Sequence, residues 1–501
     1  MTTSQAPDRA ELDLASLLDH APGVPSVSVR DLVLDSRAVR AGDAFVAVRG
    51  LATHGLEHAV DAAERGAVAL VWDPADGHAP PRLPPSMTAV PVPGLRARLG
   101  ELADRFYGAP SACARVYGVT GTNGKTTTAW LVAQACGADG AYVGTLGVGR
   151  PGALESTSHT TPDVLAVHRM LKRLCDDGAR AIAMEVSSHA LDQQRIAGVR
   201  IPVAGFTNLS RDHLDYHGTM EAYGAAKERL FAARDVAYAV INVADAHGAA
   251  MAARLPAGVE LVAVRPVAGG AVPPKAGAFV AGDAARFEAF GLELDGRTHA
   301  GPFRLRSPLV GEFNVENLCV ALGMLLAGGV ALDDAVDALG RAAAPAGRME
   351  GFRLPSGALV VVDYAHTPDA LAKALAALRR HCTGRLVCVF GCGGDRDPGT
   401  RPQMAAAAEA GSDAIVITDD NPRGEDAERI VTMIRAGLAG RVPARVERDR
   451  TRAIRSAAHE ARDGDVVLVA GKGHEDYQLY GAERRAHSDR DVARRLTEEA
   501  A

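Results

Sequence analysis

A glycine-rich segment that ends in a lysine and two threonines follows a short apolar run near position 120. Its residues are Gly121, Thr122, Asn123, Gly124, Lys125, Thr126 and Thr127. Glycines let backbone N–H groups approach phosphate oxygens, and a helix beginning directly after them adds a favourable dipole. In such a loop Lys125 reaches the outer phosphates and the Thr126 hydroxyl binds Mg²⁺. The strict two-glycine spacing fails because position 119 is Val, but the order of strand, loop and helix predicts a nucleotide site.

Three further ionisable side chains could surround the metal of such a site. Glu185 ends an apolar run, where a carboxylate commonly holds the Mg²⁺ that bridges nucleotide phosphates, although it could instead cap the next helix. His213 follows another apolar run and is either structural or close to the metal. Lys227 is one of only six lysines among 55 basic residues, which favours a functional role, although a solvated helix surface remains open.

The composition is typical of a globular protein with several domains. The chain has 501 residues, 47% hydrophobic and 23% charged, which predicts about three domains. A formal net charge of −6, without a long Lys/Arg run, excludes a basic nucleic-acid-binding surface. No apolar stretch reaches the roughly 18–20 residues needed to span a bilayer, so no membrane insertion is expected. Seven scattered cysteines without paired spacing, and no signal pattern, predict a reducing, cytoplasmic environment.

Short apolar runs alternate with Ala/Leu/Arg-rich stretches along most of the chain. This alternation predicts strands and helices of parallel α/β sheets, in which ligands bind beyond the carboxyl ends of the strands. Residues 255–310 have little helical periodicity and are predicted to be richer in strands. Composition changes near residues 108 and 344 predict three domains, covering 1–108, 109–344 and 345–501.

Six segments, in this order along the chain, resemble motifs of the Mur ligase family. They are Gly121–Thr127, Glu185–His189, Asn208–Asp215, Gly311–Asn317, Gly347–Glu350 and Asp363–Pro368. The resemblance covers essentially the whole chain. It implies an α/β fold of three domains: a UDP-binding N-terminal domain, a central P-loop ATPase-like domain with a parallel sheet, and a C-terminal Rossmann-like domain that binds the incoming amino acid.

The resemblance assigns roles around ATP and Mg²⁺. The catalytic residues it implies are Lys125, Glu185, His213, Lys227 and Arg348. Lys227 matches a lysine that becomes carbamylated to N6-carboxylysine, and with Glu185 and His213 it would hold a second Mg²⁺. Further contacts to the nucleotide would come from Asn314, Asn317, Asp363 and His366.

The resemblance also implies two substrate sites. The residues matching the family's site for a UDP-linked muramoyl dipeptide are Leu34, Ser36, Leu51, Ala52, Thr53, Thr160, Thr161, Ser187, Gln193 and Arg195. The residues matching the pocket of family members that use meso-diaminopimelate rather than lysine are Arg396, Asp420, Asn421, Pro422, Arg423, Gly471 and Glu475. An arginine suits the extra carboxylate of diaminopimelate because its guanidinium offers two parallel donors. Without the other motifs, Asp420–Arg423 could equally be a Pro-containing surface turn.

The activity that the resemblance implies is ATP-dependent amide-bond formation in peptidoglycan precursor synthesis. The acceptor carboxylate would become an acyl phosphate, which the amine of diaminopimelate then attacks, with ADP and phosphate as products. A monomer is expected. Three alternatives remain open: a lysine-adding Mur-type ligase, a folylpolyglutamate synthase, and a nucleotide-dependent switch that hydrolyses ATP without ligating anything.

Overall fold

The protein, described here by a computed structural model, contains three α/β units arranged consecutively along the chain. The structure describes residues 11–19, 24–50, 53–157, 160–233, 235–266 and 277–499. Leu51 and Ala52, which the sequence assigns to the UDP site, lie outside the described residues.

The first unit is built on a small parallel sheet of four strands in the order β3-β4-β5-β6, beside a two-stranded antiparallel pair, β1 and β2. Its strands are β1 (Leu12–Asp13), β2 (Ser28–Val29), β3 (Leu32–Val33), β4 (Ala44–Ala47), β5 (Ala69–Trp72) and β6 (Thr88–Pro91). Its helices are α1 (Leu14–Leu17), α2 (Ala59–Glu64) and α3 (Leu95–Phe106). Helix α3 buries its apolar face against this sheet and against the second unit.

The second unit contains an eleven-stranded sheet in the order β10-β9-β8-β11-β7-β12-β13-β14-β15-β16-β17. Its strands are β7 (Arg115–Thr120), β8 (Gly140–Gly144), β9 (Gly147–Arg150), β10 (Ala153–Glu155), β11 (Ala181–Glu185), β12 (Val203–Phe206), β13 (Tyr238–Asn242), β14 (Glu260–Arg265), β15 (Ala278–Glu288), β16 (Gly291–Thr298) and β17 (Gly301–Ser307). The strands from β8 to β15 in this order run parallel, and antiparallel strands extend both edges. The predicted strand-rich segment corresponds to β14–β17.

Helices cover both faces of the large sheet, so its central strands are apolar on both sides. They are α4 (Lys125–Ala135), α5 (Val164–Asp176), α6 (Ser188–Asp192), α7 (Leu214–His217), α8 (Met220–Glu228), α9 (Ala246–Ala252), α10 (Phe313–Ala327) and α11 (Leu332–Arg341). The predicted strand, glycine loop and helix are β7, residues 121–124 and α4. The loop therefore lies at the carboxyl end of a central strand, where ligands of parallel sheets gather.

The third unit has a six-stranded sheet in the order β18-β19-β23-β20-β21-β22, parallel except for β18. The strands of this sheet are β18 (Glu350–Arg353), β19 (Leu359–Asp363), β20 (Leu386–Phe390), β21 (Ala414–Ile417), β22 (Ala444–Val446) and β23 (Val466–Ala470). A separate hairpin consists of β24 (Tyr477–Tyr480) and β25 (Glu483–Ala486). Its helices are α12 (Pro368–Arg379), α13 (Thr400–Gly411), α14 (Ala427–Arg435), α15 (Arg450–His459) and α16 (Asp489–Glu498). The predicted three-unit α/β architecture is thus confirmed.

One pair of cysteines departs from the expectation of reduced, unpaired thiols. Cys113 and Cys175 form a disulfide that joins the turn before β7 to the last turn of α5, and the other five cysteines are free. Their separation of 62 residues gave no local signal, because only the fold brings the two segments together. Among the described residues, no helix combines the length and apolar character needed to cross a membrane.

Candidate active site

The glycine-rich loop wraps around the amino end of α4. Gly121 and Gly124 both have positive φ, +147° and +83° respectively, and a Cβ on Gly124 would collide with Oδ1 of Asn317. The Lys125 ammonium donates hydrogen bonds to the carbonyl oxygens of Gly121 and Thr122, at 2.9 and 2.8 Å. The loop is therefore closed on itself by the side chain that the sequence assigns to phosphate.

Asn317 and Asn314 support this loop from α10. Asn317 Oδ1 accepts a 3.4 Å hydrogen bond from the Thr128 hydroxyl, and its Nδ2 donates to Asn314 Oδ1 at 2.8 Å. Asn314 in turn donates to the carbonyl oxygen of Val310. Both asparagines are buried. The structure places them beneath the loop, where they fix Gly124.

Glu185 ends β11 with a buried carboxylate that is held by four groups. Its Oε1 accepts hydrogen bonds from the Tyr142 hydroxyl and from the backbone N–H of Thr145, the latter at 2.8 Å. Its Oε2 accepts from the hydroxyls of Thr126, at 2.9 Å, and Thr145, at 3.4 Å. One oxygen is thus anchored from behind while the other lies beside the threonine of the loop. The helix-capping alternative is wrong, because the Ser187 side chain caps α6.

Lys227 is 1% exposed on α8, so the alternative of a solvated surface position is wrong. Its ammonium donates a 2.7 Å hydrogen bond to the Gly121 carbonyl and lies 4.4 Å from the centre of the Tyr223 ring. Burial, reinforced by the positive charge of Lys125, lowers the pKa of Lys227 from 10.5 to about 6. A large share of this side chain is therefore a neutral, nucleophilic amine at pH 7.

His213 is half exposed in a loop before α7, at a backbone φ of +52°. Its ring lies 4.9 Å from that of His189 and 5.9 Å from that of Tyr223. Arg348 comes from the third unit, between α11 and β18, with its guanidinium 4.9 Å from the centre of the Tyr364 ring. Both side chains line the same cavity as the phosphate loop.

A cavity of about 230 Å³ brings these residues together. It is lined by Thr122, Asn123, Gly124, Lys125, Thr126, Thr127, Thr145, Thr160, Glu185, Ser187, Ser188, His213, Lys227 and Arg348. All five predicted catalytic residues are in this lining, and Lys125 is one of them. Five other residues of the loop and two of the predicted UDP-substrate residues, Thr160 and Ser187, also line the cavity.

Glu185 and Thr126 provide oxygen ligands that fit Mg²⁺. Carboxylate and hydroxyl oxygens are the hard donors this ion prefers, and it keeps several positions for water and phosphate oxygens. In the part of the chain that the structure describes, no group of three or more His, Cys, Asp or Glu side chains could hold a metal. A magnesium ion here would therefore share its coordination between these oxygens and a nucleotide.

Asp363 and His366 are not among the residues that line this cavity. The buried carboxylate of Asp363 accepts hydrogen bonds from the backbone N–H groups of Met349, at 2.8 Å, and Ala365, at 2.9 Å. Asp363 thus fixes the segment that carries Arg348. His366 is exposed, with its Nδ1 2.8 Å from the Tyr364 carbonyl oxygen.

A larger cavity of about 730 Å³ extends from the first unit to α6. Leu34, Gln193 and Arg195 line it, as the sequence predicts for the UDP substrate, and Arg195 donates to the Thr161 carbonyl at 2.7 Å and to Gln193. Ser36 and Thr53 lie outside this lining, and Thr161 is buried with its hydroxyl on the Glu185 carbonyl oxygen. Three arginines that the sequence analysis did not select also line the cavity: Arg96, Arg169 and Arg173.

The residues predicted to bind the amino acid lie beyond the carboxyl ends of β20, β21 and β23, which are neighbours in the sheet. Arg396 and Arg423 flank Gly393, and Arg423 donates to the Gly394 carbonyl at 2.7 Å. Asn421 donates a 3.0 Å hydrogen bond to Glu475. Pro422, the next residue, is buried. Gly471, at φ +117°, gives the Asp420 carboxylate room, since a Cβ there would lie 2.6 Å from its Oδ2.

The ring of Tyr364 links the residues predicted to bind the amino acid to Arg348, which lines the phosphate-loop cavity. Tyr364 contacts the Arg348 guanidinium on one side and the His474 ring, 5.4 Å away, on the other. Gly347 also packs against Gly473, where a Cβ on Gly347 would collide with the backbone. The segment that carries Arg348 therefore packs against the segment that carries two of the residues predicted to bind the amino acid, Gly471 and Glu475.

Sequence reasoning missed the residues that hold the predicted ones in place. Tyr142 and Thr145 orient Glu185, and Tyr223 donates or accepts a 3.2 Å hydrogen bond with Thr122 beneath Lys227. Lys472 is buried in the amino-acid pocket. Among these residues only Lys472 had a usable signal in the sequence, because lysine is scarce in this chain.

Comparison with known proteins adds three family models that match successive parts of the chain. Residues 28–107 match a model described as Mur ligase family, catalytic domain. Residues 119–325 match the Mur ligase middle domain, and residues 347–473 match the Mur ligase, glutamate ligase domain. Each matched range lies within one of the three α/β units.

Relatives are similar over nearly the whole chain. A UDP-N-acetylmuramoyl-L-alanyl-D-glutamate–2,6-diaminopimelate ligase of Xanthomonas campestris pv. campestris is 49% identical over 484 residues, covering 96% of both chains. The ligase of the same name from Pseudomonas aeruginosa is 48% identical over 475 residues, covering 93% of this chain and 94% of that protein.

Solved structures show the same arrangement. The structure of a ligase with that name matches with a TM-score of 0.73 and 35% identity, covering 97% of this chain and 99% of that one. A folylpolyglutamate synthase of Mycobacterium tuberculosis matches with a TM-score of 0.55 and 19% identity, covering 75% of this chain and 92% of that one. At that identity the second likeness concerns the fold alone.

Proposed function

This chain belongs to the Mur ligase family, and we propose that it joins meso-diaminopimelate to the D-glutamate of UDP-N-acetylmuramoyl-L-alanyl-D-glutamate at the expense of ATP. The observation that carries this proposal is that two arginines, Arg396 and Arg423, flank Gly393. Asn421, which also lies beside Gly393, is hydrogen-bonded to the carboxylate of Glu475. Such a pocket suits a ligand end with both a carboxylate and an ammonium. Diaminopimelate has this end, whereas lysine has the ammonium alone.

The first chemical step would take place in the 230 Å³ cavity. A free carboxylate is a poor acylating agent because oxide is a poor leaving group. Attack of the D-glutamyl carboxylate oxygen on the γ-phosphorus of ATP gives an acyl phosphate and releases ADP. The two reacting anions repel each other, so the site must supply positive charge and alignment. Lys125 and Arg348 supply that charge, and the backbone of the loop holds the phosphates.

Glu185 and Thr126 are the residues that would hold Mg²⁺ beside the loop. The ion, when bound, neutralises phosphate charge. Tyr142 and Thr145 keep one Glu185 oxygen anchored, so that the other faces Thr126. This arrangement orients the carboxylate before nucleotide arrives.

The second step needs the amine of diaminopimelate close to the acyl phosphate. The amine nitrogen attacks the acyl carbon, a tetrahedral intermediate forms, and its collapse expels phosphate and leaves the amide after loss of a proton. Arg396, Arg423 and Glu475 would hold the far end of the amino acid. Contact of Tyr364 with both Arg348 and His474 supports delivery of the near end to the cavity.

We also propose that Lys227 carries a carbamate. The lysine cation first loses one proton. The neutral amine nitrogen then attacks the carbon of carbon dioxide, an N–C bond forms as one C–O π bond breaks, and a second proton leaves to give the carbamate anion. The lowered pKa of Lys227 makes the neutral amine available at pH 7. As a carboxylate, it would be a ligand for a second Mg²⁺ together with Glu185 and His213, which line the same cavity.

The first unit and the 730 Å³ cavity would hold the UDP-muramoyl part of the substrate. Leu34 lies at the first unit's end of this cavity, while Gln193 and Arg195 lie towards the phosphate loop. Thr160 and Ser187 line the smaller cavity and would receive the dipeptide end. We propose a monomer acting in the cytoplasm, where ATP and UDP-linked precursors are available.

The decisive experiment is mass spectrometry of the product formed from UDP-muramoyl dipeptide, ATP and one amino acid at a time. A panel of meso-diaminopimelate, lysine and glutamate separates this proposal from a lysine-adding ligase and from a folylpolyglutamate synthase. The expected result is one amide product, with diaminopimelate, formed in step with ADP. Phosphate release that needs neither the UDP-dipeptide nor an amino acid would instead support a nucleotide-dependent switch.

A further inference from the structure

Lys472 follows β23 and is fully buried, with 0% of its surface exposed. Burying an ammonium is costly unless hydrogen bonds and opposite charge compensate it. It is one of two lysines buried in the described part of the chain, the other being Lys227. Its surroundings therefore have to explain why a lysine is placed there.

The Lys472 ammonium and two polar side chains, Asn421 and Glu475, form a closed triangle of hydrogen bonds. Lys472 Nζ donates to Asn421 Oδ1 at 3.1 Å and to Glu475 Oε2 at 3.0 Å. The third side is the 3.0 Å hydrogen bond from Asn421 Nδ2 to the same Glu475 oxygen. Each member of the triangle thus contacts the other two.

The triangle fixes which way the Asn421 amide faces. Its Oδ1 accepts from Lys472 and also from the backbone N–H of Leu479, at 3.0 Å. A flipped amide would set its NH₂ group against two donors, so the NH₂ must face Glu475. Within the described residues, Glu475 Oε1 accepts no hydrogen bond, which leaves this oxygen available for a ligand.

The charges around the pocket need this lysine as well. Arg450 forms an ion pair with Asp489 through two hydrogen bonds of 2.7 and 2.8 Å. Lys472 is therefore the cation that pairs with Glu475, and its Nζ also lies 3.9 Å from Asp420 Oδ1.

We propose that Lys472 is a positioning residue for the incoming amino acid: it holds Asn421 and Glu475 in the orientation that receives the ammonium at the far end of diaminopimelate. This inference rests on the proposed function. Lys472 is not itself a catalytic residue, since its ammonium is fully buried and its hydrogen bonds go to Asn421 and Glu475. Its removal should affect capture of the amino acid and spare the steps that precede it.

The test compares Lys472→Met with Lys373→Met as the matched control. Lys373 is exposed on α12 of the same unit and pairs only with Asp369 at its surface. Loss of two charge-assisted hydrogen bonds should raise KM for diaminopimelate at least about 10-fold in Lys472→Met. KM for ATP and for the UDP-dipeptide should stay within about twofold, and the control should match the wild type.

A partial reaction separates positioning from misfolding. Exchange of label between ADP and ATP, dependent on UDP-dipeptide and measured without any amine, reports acyl phosphate formation. It should be retained in Lys472→Met. An unchanged KM for diaminopimelate in a variant that retains this exchange would overturn the inference, whereas a wild-type enzyme that never ligates diaminopimelate would overturn the proposed function instead.

A double variant covers the case in which Lys472→Met fails to fold because Glu475 is left as a buried, unpaired charge. Glu475→Gln with Lys472→Met removes both charges of the pair. If Lys472 acts through Glu475, adding Lys472→Met to Glu475→Gln should change KM for diaminopimelate by less than about threefold. A full additional 10-fold loss would show that the lysine acts elsewhere, and the proposal would be rejected.

Discussion

The Lys227 ammonium donates a 2.7 Å hydrogen bond to the carbonyl oxygen of Gly121, the first residue of the phosphate loop. A buried lysine thus touches the backbone that is expected to surround the phosphates, close to a second cation, Lys125. Two positive charges there are unfavourable unless one is neutral or converted to an anion. The relationship therefore favours carbamylation of Lys227.

Lys227→Ala should abolish ligation, with a loss of at least about 100-fold in kcat, because the proposed carboxylate ligand of the second Mg²⁺ is removed. A short-chain carboxylic acid should partly restore the rate by occupying the vacated space. Steady-state kinetics with and without the acid measures both effects. Lys172→Ala is a suitable control, since Lys172 pairs with Asp176 on the surface of α5. Full activity of untreated Lys227→Ala would refute this role.

Tyr142→Phe should raise the Mg²⁺ concentration needed for half-maximal activity by about 10-fold. The substitution removes the hydroxyl that anchors Glu185 Oε1, and loss of a group that orients a metal ligand costs about 10–100-fold in affinity. Direct titration of Mn²⁺ by electron paramagnetic resonance, with ADP present, measures the binding itself. Tyr117→Phe is the control, because Tyr117 is an equally buried tyrosine on β7. Equal Mn²⁺ affinity in both variants would argue against this role of Tyr142.

Gly124→Ala should weaken nucleotide binding by more than about 10-fold, since the new Cβ would collide with Asn317 and displace the loop. Gly137→Ala is the control, because it introduces the backbone strain of an alanine at positive φ without a collision of the new Cβ. Gly137 also has positive φ, +58°, but a Cβ there meets nothing within 4 Å, so it should cost only about 1–2 kcal/mol of stability. Calorimetric titration with ADP should distinguish the two, and similar losses of affinity would exclude the proposed contact.

His381 should make the contact between the second and third units sensitive to acid. It is buried, its Nε2 accepts a 2.8 Å hydrogen bond from the Gly311 N–H, and its Nδ1 donates to the Glu288 carbonyl oxygen. Burial, partly offset by the bond to Glu288, lowers the pKa of His381. Below the ordinary value near 6.5 the unfolded chain binds more protons at this site than the folded chain, so stability falls with falling pH.

Thermal denaturation between pH 7.5 and 5 measures this effect. In His381→Gln the neutral amide can donate to Glu288 and accept from Gly311 without titrating. The melting temperature of this variant should therefore fall less steeply with pH than that of the wild type. Parallel curves would show that His381 does not contribute to the acid sensitivity.

Much of the fold and of the reacting centre could be predicted because the informative residues follow apolar strands directly. Gly121 and Glu185 come at the ends of β7 and β11, which are neighbours in the sheet, so strand ends alone bring them together. The seven residues of the amino-acid pocket are similarly placed by the ends of three neighbouring parallel strands. Strand periodicity and family motifs are sufficient for this level of description.

The supporting contacts could not be predicted, because each depends on packing between distant segments. Tyr142 meets Glu185 only because β8 lies beside β11, and nothing in its local sequence marks the hydroxyl as buried. Asp363 holds the backbone of Met349, a contact that nothing in its local sequence indicates. The disulfide between Cys113 and Cys175 could not be predicted from the sequence for the same reason.

Arg348 is the only residue of the third unit that lines the described phosphate-loop cavity; all its other lining residues belong to the second unit. Asp363 ties the Arg348 segment to β19, so this guanidinium moves with the sheet that carries the amino-acid pocket. If that sheet swings outward, the loop keeps its nucleotide contacts but loses a cation needed to neutralise the transferring phosphoryl group. We therefore expect bound ATP to be kept intact in such an open position and its phosphoryl group to be transferred only once the third unit closes over the loop.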